Sequence, residues 1–572
     1  MSRRRPAEGP KLVPRPAVDL KLLFLLVAVI FAAYLPALRA GFVWDDDAYV
    51  TENPVLRSFH GLWQIWFQPG ATVQYYPLVF SSFWLDYQLW GIAPAGYHFL
   101  NVLLHAAAAV LFWRILVRLE LPGAWLGAAI FALHPVHVES VAWVTERKNV
   151  LSMVFYLLAL RSLLIALGFG KSPASPGRIP PSDFSKGVIF FICALLSKTA
   201  TVGLPVVLIL LLWWKRRPIR IATMLAAPLV LAALVAGAMT SYVEKHHVGA
   251  GDLDWNLSTM QHVVLAGQSV WFYLGKLLWP AKLAFVYNRW TVSVDGISLL
   301  YPIGVAALIA LAAWLGRGVL IAMLIYLLGL APALGFIPFY FMRYSWVADH
   351  FQYIASLGPI AMIAAALTWS AQRSSNRALL PLVSAAVLMA LGATTFVRAG
   401  VFHDQETLWD DVIAKSPSAR SQAHQNLAVY CSRLGRTAGE VEHYRESLRL
   451  RPDEAEPRCN LAIALHTLGR QDEAIQEMQK ALQVRPDYPE AESNLGFFLQ
   501  EKGRLAEAEE HYRKAVKLDP NFAAGHFNLA RLYELLKQRE AAVKEYAEVL
   551  RISPQDAEAR ANMDRLRSGE RR

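Results

Sequence analysis

Cysteine is nearly absent: Cys193, Cys431 and Cys459 are the three in 572 residues. Thiols so few and so far apart exclude a disulfide framework and a cysteine metal site. Charge is scarce as well, at 18% of residues against 55% hydrophobic ones, which excludes a soluble chain of ordinary composition. The scarcity is uneven. Residues 20–400 hold most of the apolar runs and nearly all of the 18 tryptophans, whereas 403–572 are rich in Glu, Arg, Gln and Ala. The net charge of +11 sits in short clusters beside apolar runs, among them Arg3 to Arg5, Lys215 to Arg217, Arg373 and Arg377. That is a positive-inside pattern, not a basic face, and no nucleic-acid partner is expected.

What is present is a series of membrane-length runs. They lie near 20–39, 97–117, 123–142, 149–167, 221–240, 297–315, 318–336, 353–371 and 378–398. Segment 186–214 is basic at both flanks and polar in its middle, SKTAT, so two short helices meeting at Lys198 are predicted, for about eleven spans. The first run is long for a signal peptide and RAGFVWDD after it makes a poor cleavage site, so an uncleaved first span with a cytoplasmic N-terminus is expected. Counting onward, 41–96, 134–148, 241–296 and 337–352 fall outside, and the basic loops 168–186, 215–220 and 372–377 inside. Residues 263–280, interrupted by Gln268 and Lys276, are read as a helix on or re-entering the outer surface.

The polar third of the chain repeats. Asn426, Asn460, Asn494, Asn528 and Asn562 recur every 34 residues, as do Pro452, Pro486, Pro520 and Pro554, which is the tetratricopeptide period. Gly435, Gly469 and Gly503 supply the turn within each helix pair, and Lys537 replaces the glycine in the fourth repeat. The expected layout is a tail at 1–19, a membrane domain at 20–402, a connecting helix at 403–420, four repeats at 421–556 and a capping helix with tail at 557–572. The fold class is all-α throughout, a polytopic domain followed by a solenoid.

The outer loops carry the unusual residues: FVWDDDAYVTENP with Asp45, Asp46 and Asp47, YPL with LDYQLWG, GYHFLNVLLHA, and HPVHVESVAWVTERKNVLS. Together with the repeats these motifs resemble the transmembrane and tetratricopeptide-repeat O-mannosyltransferases of the GT-C fold. Tyr76 and the pair His350-Phe351 depart from the usual family pattern. The resemblance implies an inverting glycosyltransferase that moves mannose or another hexose from a polyprenyl phosphate to Ser or Thr of extracytoplasmic proteins.

Such a transfer needs a base for the acceptor hydroxyl, and a carboxylate at a membrane surface can have the raised pKa a base requires. By the family motif the base falls at Asp45 or Asp46, with Asp46 preferred and Asp47 left as a cap or solvated group. Departure of a phosphate needs cations. Arg147, Lys148, Lys198, Arg343 and His350 are expected at the donor phosphate, and Tyr76, His134, His137 and Glu139 along the substrate site. No metal ligands and no cofactor are expected. The repeats are expected to present protein acceptors beside the bilayer, in a bacterial inner membrane with the solenoid in the periplasm or outside. Transfer to a glycan or lipid, or a non-catalytic envelope scaffold, are the alternatives.

Overall fold

The computed structural model describes residues 19–169, 181–217, 219–246, 257–337, 340–373 and 379–568. Arg3 to Arg5, Arg377 and most of the loop 241–258 between apolar runs lie outside them. The described residues contain helices and no strand. The chain divides into two compact units, Met1–Asp411 and Val412–Arg572.

The first unit comprises α1 (Leu20–Ala33), α2 (Phe59–Phe67), α3 (Pro77–Trp90), α4 (Pro94–Arg118), α5 (Ala124–Leu133), α6 (Val138–Ala142), α7 (Arg147–Ala166), α8 (Pro181–Ser197), α9 (Leu204–Trp214), α10 (Ile219–His246), α11 (Thr259–Leu278), α12 (Leu300–Leu315), α13 (Arg317–Leu330), α14 (Leu357–Arg373) and α15 (Leu379–Gly400). Among the described residues four segments are long and apolar enough to cross a membrane: Pro94–Arg118, Val144–Ala166, Ala226–Val243 and Pro381–Gly400. Two expected spans are cut short by proline. The run 123–142 leaves α-helix after Leu133, because Pro135 disfavours helix at His134, and returns to it only for the short α6. Ten helical residues rise about 15 Å, half of a bilayer core. The run 20–39 likewise leaves α-helix at Ala33, ahead of Pro36.

The polar centre of segment 186–214 breaks the helix as its composition requires. α8 stops at Ser197, Lys198 is extended, and a 3-10 turn at Thr199–Gly203 leads into α9. Of residues 263–280, all but the last two fall in α11, which opens with a capping box between Ser258 and Gln261. α7 packs on α4 and α8, and α13 on α14. Close approach sets one wall: a Cβ on Gly329 would lie 2.6 Å from Ala355 Cα, so only glycine fits there.

In the second unit four helix pairs follow one another, Arg420–Arg433 with Thr437–Leu450, Ala455–Thr467 with Gln471–Val484, Pro489–Glu501 with Leu505–Leu518 and Ala523–Leu535 with Arg539–Ile552, before Ala557–Ser568. The connecting helix is Gln405–Lys415, and the first repeat helix begins at Arg420 after a 3-10 turn. Small residues such as Ala428, Ala462 and Ala508 are fully buried between the paired helices, with Tyr444, Met478, Phe498 and Tyr512 in the same core. Gly435, Gly469 and Gly503 take φ of 68°, 76° and 75°, and Lys537 is forced to 60°, a left-handed conformation a side chain adopts at a cost.

Candidate active site

Loop one reaches the membrane unit's interior through an aromatic clamp. Trp44 stacks on Trp143 at 5.5 Å and meets Phe285, Phe341, Tyr344 and Trp409 edge-on. Its φ is +46°, unusual for a bulky residue and of the kind found where the backbone is held for function. The strained turn sends the next two carboxylates to different places. Asp45 stands on the wall of a cavity of about 1370 Å3. Asp46 turns inward, wholly buried, and its Oδ1 accepts the Thr145 N–H and hydroxyl, both at 2.7 Å, while Oδ2 accepts the Val43 N–H at 2.9 Å. The preference for Asp46 as base therefore reverses: its oxygens are occupied in tying loop one to loop two, and it does not line the cavity. Asp47 accepts the Thr51 hydroxyl at 3.2 Å in a short π-type turn, Asp47–Thr51.

Burial lifts the Asp45 carboxyl to about 6, against the opposing pull of Lys148 and with a further rise from Glu146. Burial lifts Asp46 to about 7, although the hydrogen bonds from Val43 and Thr145 favour its ionised form. A carboxyl near 6 on a cavity wall is suited to accept a proton near neutral pH.

Across the cavity wall stand Lys148, Lys198, His350 and Tyr76, joined by Glu146, Asn149, Gln74 and Tyr49. Glu146 is the hub. Lys148 Nζ lies 3.0 Å from its Oε1 and Lys198 Nζ 3.2 Å from its Oε2, with His350 Nε2 at 3.9 Å. Lys198 also donates to Asn149 Oδ1 at 2.8 Å, and Lys148 to Gln74 Oε1 at 3.5 Å. Asn149 Nδ2 donates to the His350 carbonyl at 3.1 Å, fixing that loop to α7. Behind His350, Nδ1 contacts Glu139 Oε1 at 2.6 Å, and Glu139 Oε2 has no hydrogen-bond partner in its buried position. Asp349 next door accepts the Tyr287 hydroxyl at 2.9 Å, its carboxyl pushed up by burial and by the charge of Glu139.

The remaining expected site residues lie elsewhere. Arg147 is fully buried, with Nε on Asn101 Oδ1 at 2.8 Å, Nη2 on the Tyr97 carbonyl at 2.8 Å, an ion pair to Asp86 and its guanidinium over Phe83. Its donors are consumed in holding α3, α4 and α7 together, and none faces the cavity. Arg343 is exposed and off the cavity wall, although Phe341 and Tyr344 on either side line it. His134 Nε2 is bound to the Leu277 carbonyl at 2.9 Å, and His137 bridges the Phe131 carbonyl and Ser356 Oγ at 2.7 and 3.0 Å. Burial holds His134 down to about 4 and keeps His137 well below the usual histidine range, assisted by its histidine neighbours. Both are neutral struts behind the site. Glu139 is off the cavity wall and reaches it through His350 and through its charge on Lys198. Among the described residues no three His, Cys, Asp or Glu side chains converge as a metal-ligand set.

Glu146 and Asn149 are the residues that sequence reasoning passed over. Their signal was their place in TERKN, immediately before and immediately after the basic pair.

A tetratricopeptide repeat family model matches residues 499–566 and a TPR repeat model residues 464–503. Among curated proteins, the protein O-mannosyl-transferase TMTC3 of Homo sapiens is 32% identical over 155 residues, 25% of this chain and 17% of its own length. The Drosophila melanogaster protein O-mannosyl-transferase Tmtc1 is 37% identical over 147 residues, 24% of this chain and 17% of its own. A protein O-mannosyl-transferase of Caenorhabditis elegans is 32% identical over 152 residues, 24% of this chain and 22% of its own. The matched stretches thus span less than a quarter of these relatives. Of solved structures, MamA from Desulfovibrio magneticus is 20% identical with a TM-score of 0.25, covering 26% of this chain and 84% of that one. YrrB, a TPR protein, is 19% identical with a TM-score of 0.25, covering 35% and 98%. The chain is an all-helical, repeat-bearing protein similar over a quarter of its length to the protein O-mannosyl-transferases.

Proposed function

We propose that this protein is a membrane-embedded, inverting glycosyltransferase that moves a hexose, mannose by similarity, from a polyprenyl phosphate to Ser or Thr hydroxyls of proteins outside the cytoplasm. The observation that carries the reading is the opposition, within one cavity, of a carboxyl raised to about 6 on Asp45 and the ammonium groups of Lys148 and Lys198. Asp45 takes the hydroxyl proton as the oxygen attacks the anomeric carbon. The bond from that carbon to the phosphate oxygen breaks, and its electron pair leaves on the phosphate. Lys148 and Lys198 then stabilise the developing charge, in place of a metal ion. The configuration inverts because one displacement occurs.

The tetratricopeptide unit supports a protein acceptor, since stacked helix pairs offer extended surfaces for polypeptide. We place it outside the cytoplasm, in the periplasm if the host is a bacterium. A non-catalytic scaffold has no use for an ionisable carboxyl sharing a cavity with two lysines. The test is transfer by the purified full-length protein from polyprenyl-phosphate mannose to a Ser/Thr-rich protein, read by mass spectrometry. Mannose appearing on hydroxyls, and absent with Asp45→Asn, is the expected result; release of mannose without acceptor modification, or none at all, would overturn it.

A further inference from the structure

A second cavity, about 350 Å3 in volume, lies between α4, α7, α9, α13 and α14, with Leu116, Leu160, Trp214, Ala322, Ala365 and Trp369 among its walls. It sits at the opposite end of these helices from the active site. α4 gives Asn101, near its start, to the Arg147 cluster and Leu116, near its end, to this groove. α13 gives Gly329, near its end, to the active-site cavity and Gly318, at its start, to the groove. The chain before α9 supplies Lys198 and Thr199 to the site, and its last residue, Trp214, closes the groove.

Cations surround the tryptophan rim. Arg373 lies 3.5 Å over the Trp369 ring, Lys215 4.6 Å over Trp214, and Arg317 5.1 Å over Trp213. Lys215 donates one hydrogen bond, 2.6 Å, to the Leu119 carbonyl at the end of α4, which leaves two of its three donors for another partner. Among the described residues none of the three cations has a carboxylate within ion-pair distance, although the chain pairs many of its other basic groups. An apolar slot with tryptophan at its mouth and unneutralised cations around that mouth matches one class of molecule, an acyl chain joined to a phosphate.

We propose that this groove holds one acyl chain of an anionic phospholipid of the cytoplasmic leaflet, with the lipid phosphate bound by Lys215, Arg317 and Arg373. The lipid would fill the space between the start of α13 and the end of α14, beyond the point where Gly358 meets the Ala322 carbonyl so closely that a Cβ there would clash with it. This inference is independent of the reaction proposed above and stands or falls separately from it.

The test uses the full-length protein, stripped of lipid in detergent and titrated with phosphatidylglycerol or phosphatidylcholine, with bound lipid counted by native mass spectrometry. Retention of phosphatidylglycerol about tenfold above phosphatidylcholine is expected, because both lipids carry the phosphate and only phosphatidylglycerol has a net negative charge for the cations to attract. Arg317→Gln with Arg373→Gln, both exposed and so tolerated by the fold, should erase the preference. Ala365→Leu, which narrows the slot, should lower retention of both lipids at an unchanged melting temperature. Equal retention of the two lipids by the native protein, or an undiminished preference in the double variant, would overturn the proposal.

Discussion

Asp46 Oδ1 receives two hydrogen bonds from a single residue, the Thr145 N–H and hydroxyl, each at 2.7 Å. The pair bolts the loop that carries Asp45 to the motif that carries Glu146 and Lys148. Asp46→Asn sets an amide donor against a backbone donor in a buried place, so a loss of about 1–3 kcal/mol in stability is expected. Thermal melting of the purified variant measures it. The surviving folded protein should keep its kcat, whereas loss of a catalytic base would lower kcat and leave the melting temperature in place.

Asp45→Asn should do what Asp46→Asn does not: lower kcat by roughly 100-fold or more with little change in melting temperature. The native pH profile follows from the same group. A base must be ionised to work, and burial places Asp45 at about 6. kcat/KM should therefore be flat above that value and fall about tenfold per pH unit below it. The sign for stability is opposite. A folded value above the unfolded one means that Asp45 favours folding most in acid, and that this contribution is lost as pH rises through about 6. Asp45→Asn should thus be no less stable than the native protein at pH 7.5; an acid limb that persisted in Asp45→Asn would remove Asp45 from the base role.

Adjacent basic residues should separate by phenotype. Lys198→Met removes a cation from the cavity wall, and kcat is expected to fall about 100-fold, with donor KM raised. Arg147→Lys keeps the charge but loses the fork that engages Asn101, Asp86 and the Tyr97 carbonyl, so a lower melting temperature with unaltered donor KM is expected. Because lysines are proposed to do the work of a metal, activity should survive excess chelator. Loss in chelator that added Mg2+ or Mn2+ restores would refute that part of the mechanism.

Lys537 occupies the left-handed turn that its three counterparts give to glycine. Lys537→Gly should stabilise residues 412–572 by about 1 kcal/mol, read as a raised melting temperature of the isolated unit. An unchanged or lowered melting temperature would show that Lys537 makes compensating contacts.

How much of this was visible in the residues differs by scale. The 34-residue period and the apolar runs could be read directly because each is a local pattern, repeated. The break at Lys198 followed from SKTAT alone. The cuts after Ala33 and Leu133 were also written in the chain, at Pro36 and Pro135, but hydropathy outweighs them when only runs are counted. What could not be read was direction. Asp45 and Asp46 are neighbours of identical chemistry, and the backbone turn at Trp44, held by aromatic side chains distant in sequence, decides which reaches the cavity. Arg147 and Lys148 differ by one residue at a helix start, about 100° of rotation, enough to send one into the core and the other to the site. Glu146, a lone carboxylate beside two bases, gave no sign that Lys198 would arrive from fifty residues away.

The bridging of Lys148 and Lys198 by Glu146 bears on turnover. One carboxylate shared by two ammonium groups offsets half of their charge, so the resting site is a weaker trap for stray inorganic anions than two free lysines would be. In the reaction proposed above, the same carboxylate would reclaim both lysines from the spent lipid phosphate once the sugar has gone. Glu146 would then act as an internal competitor that eases product departure.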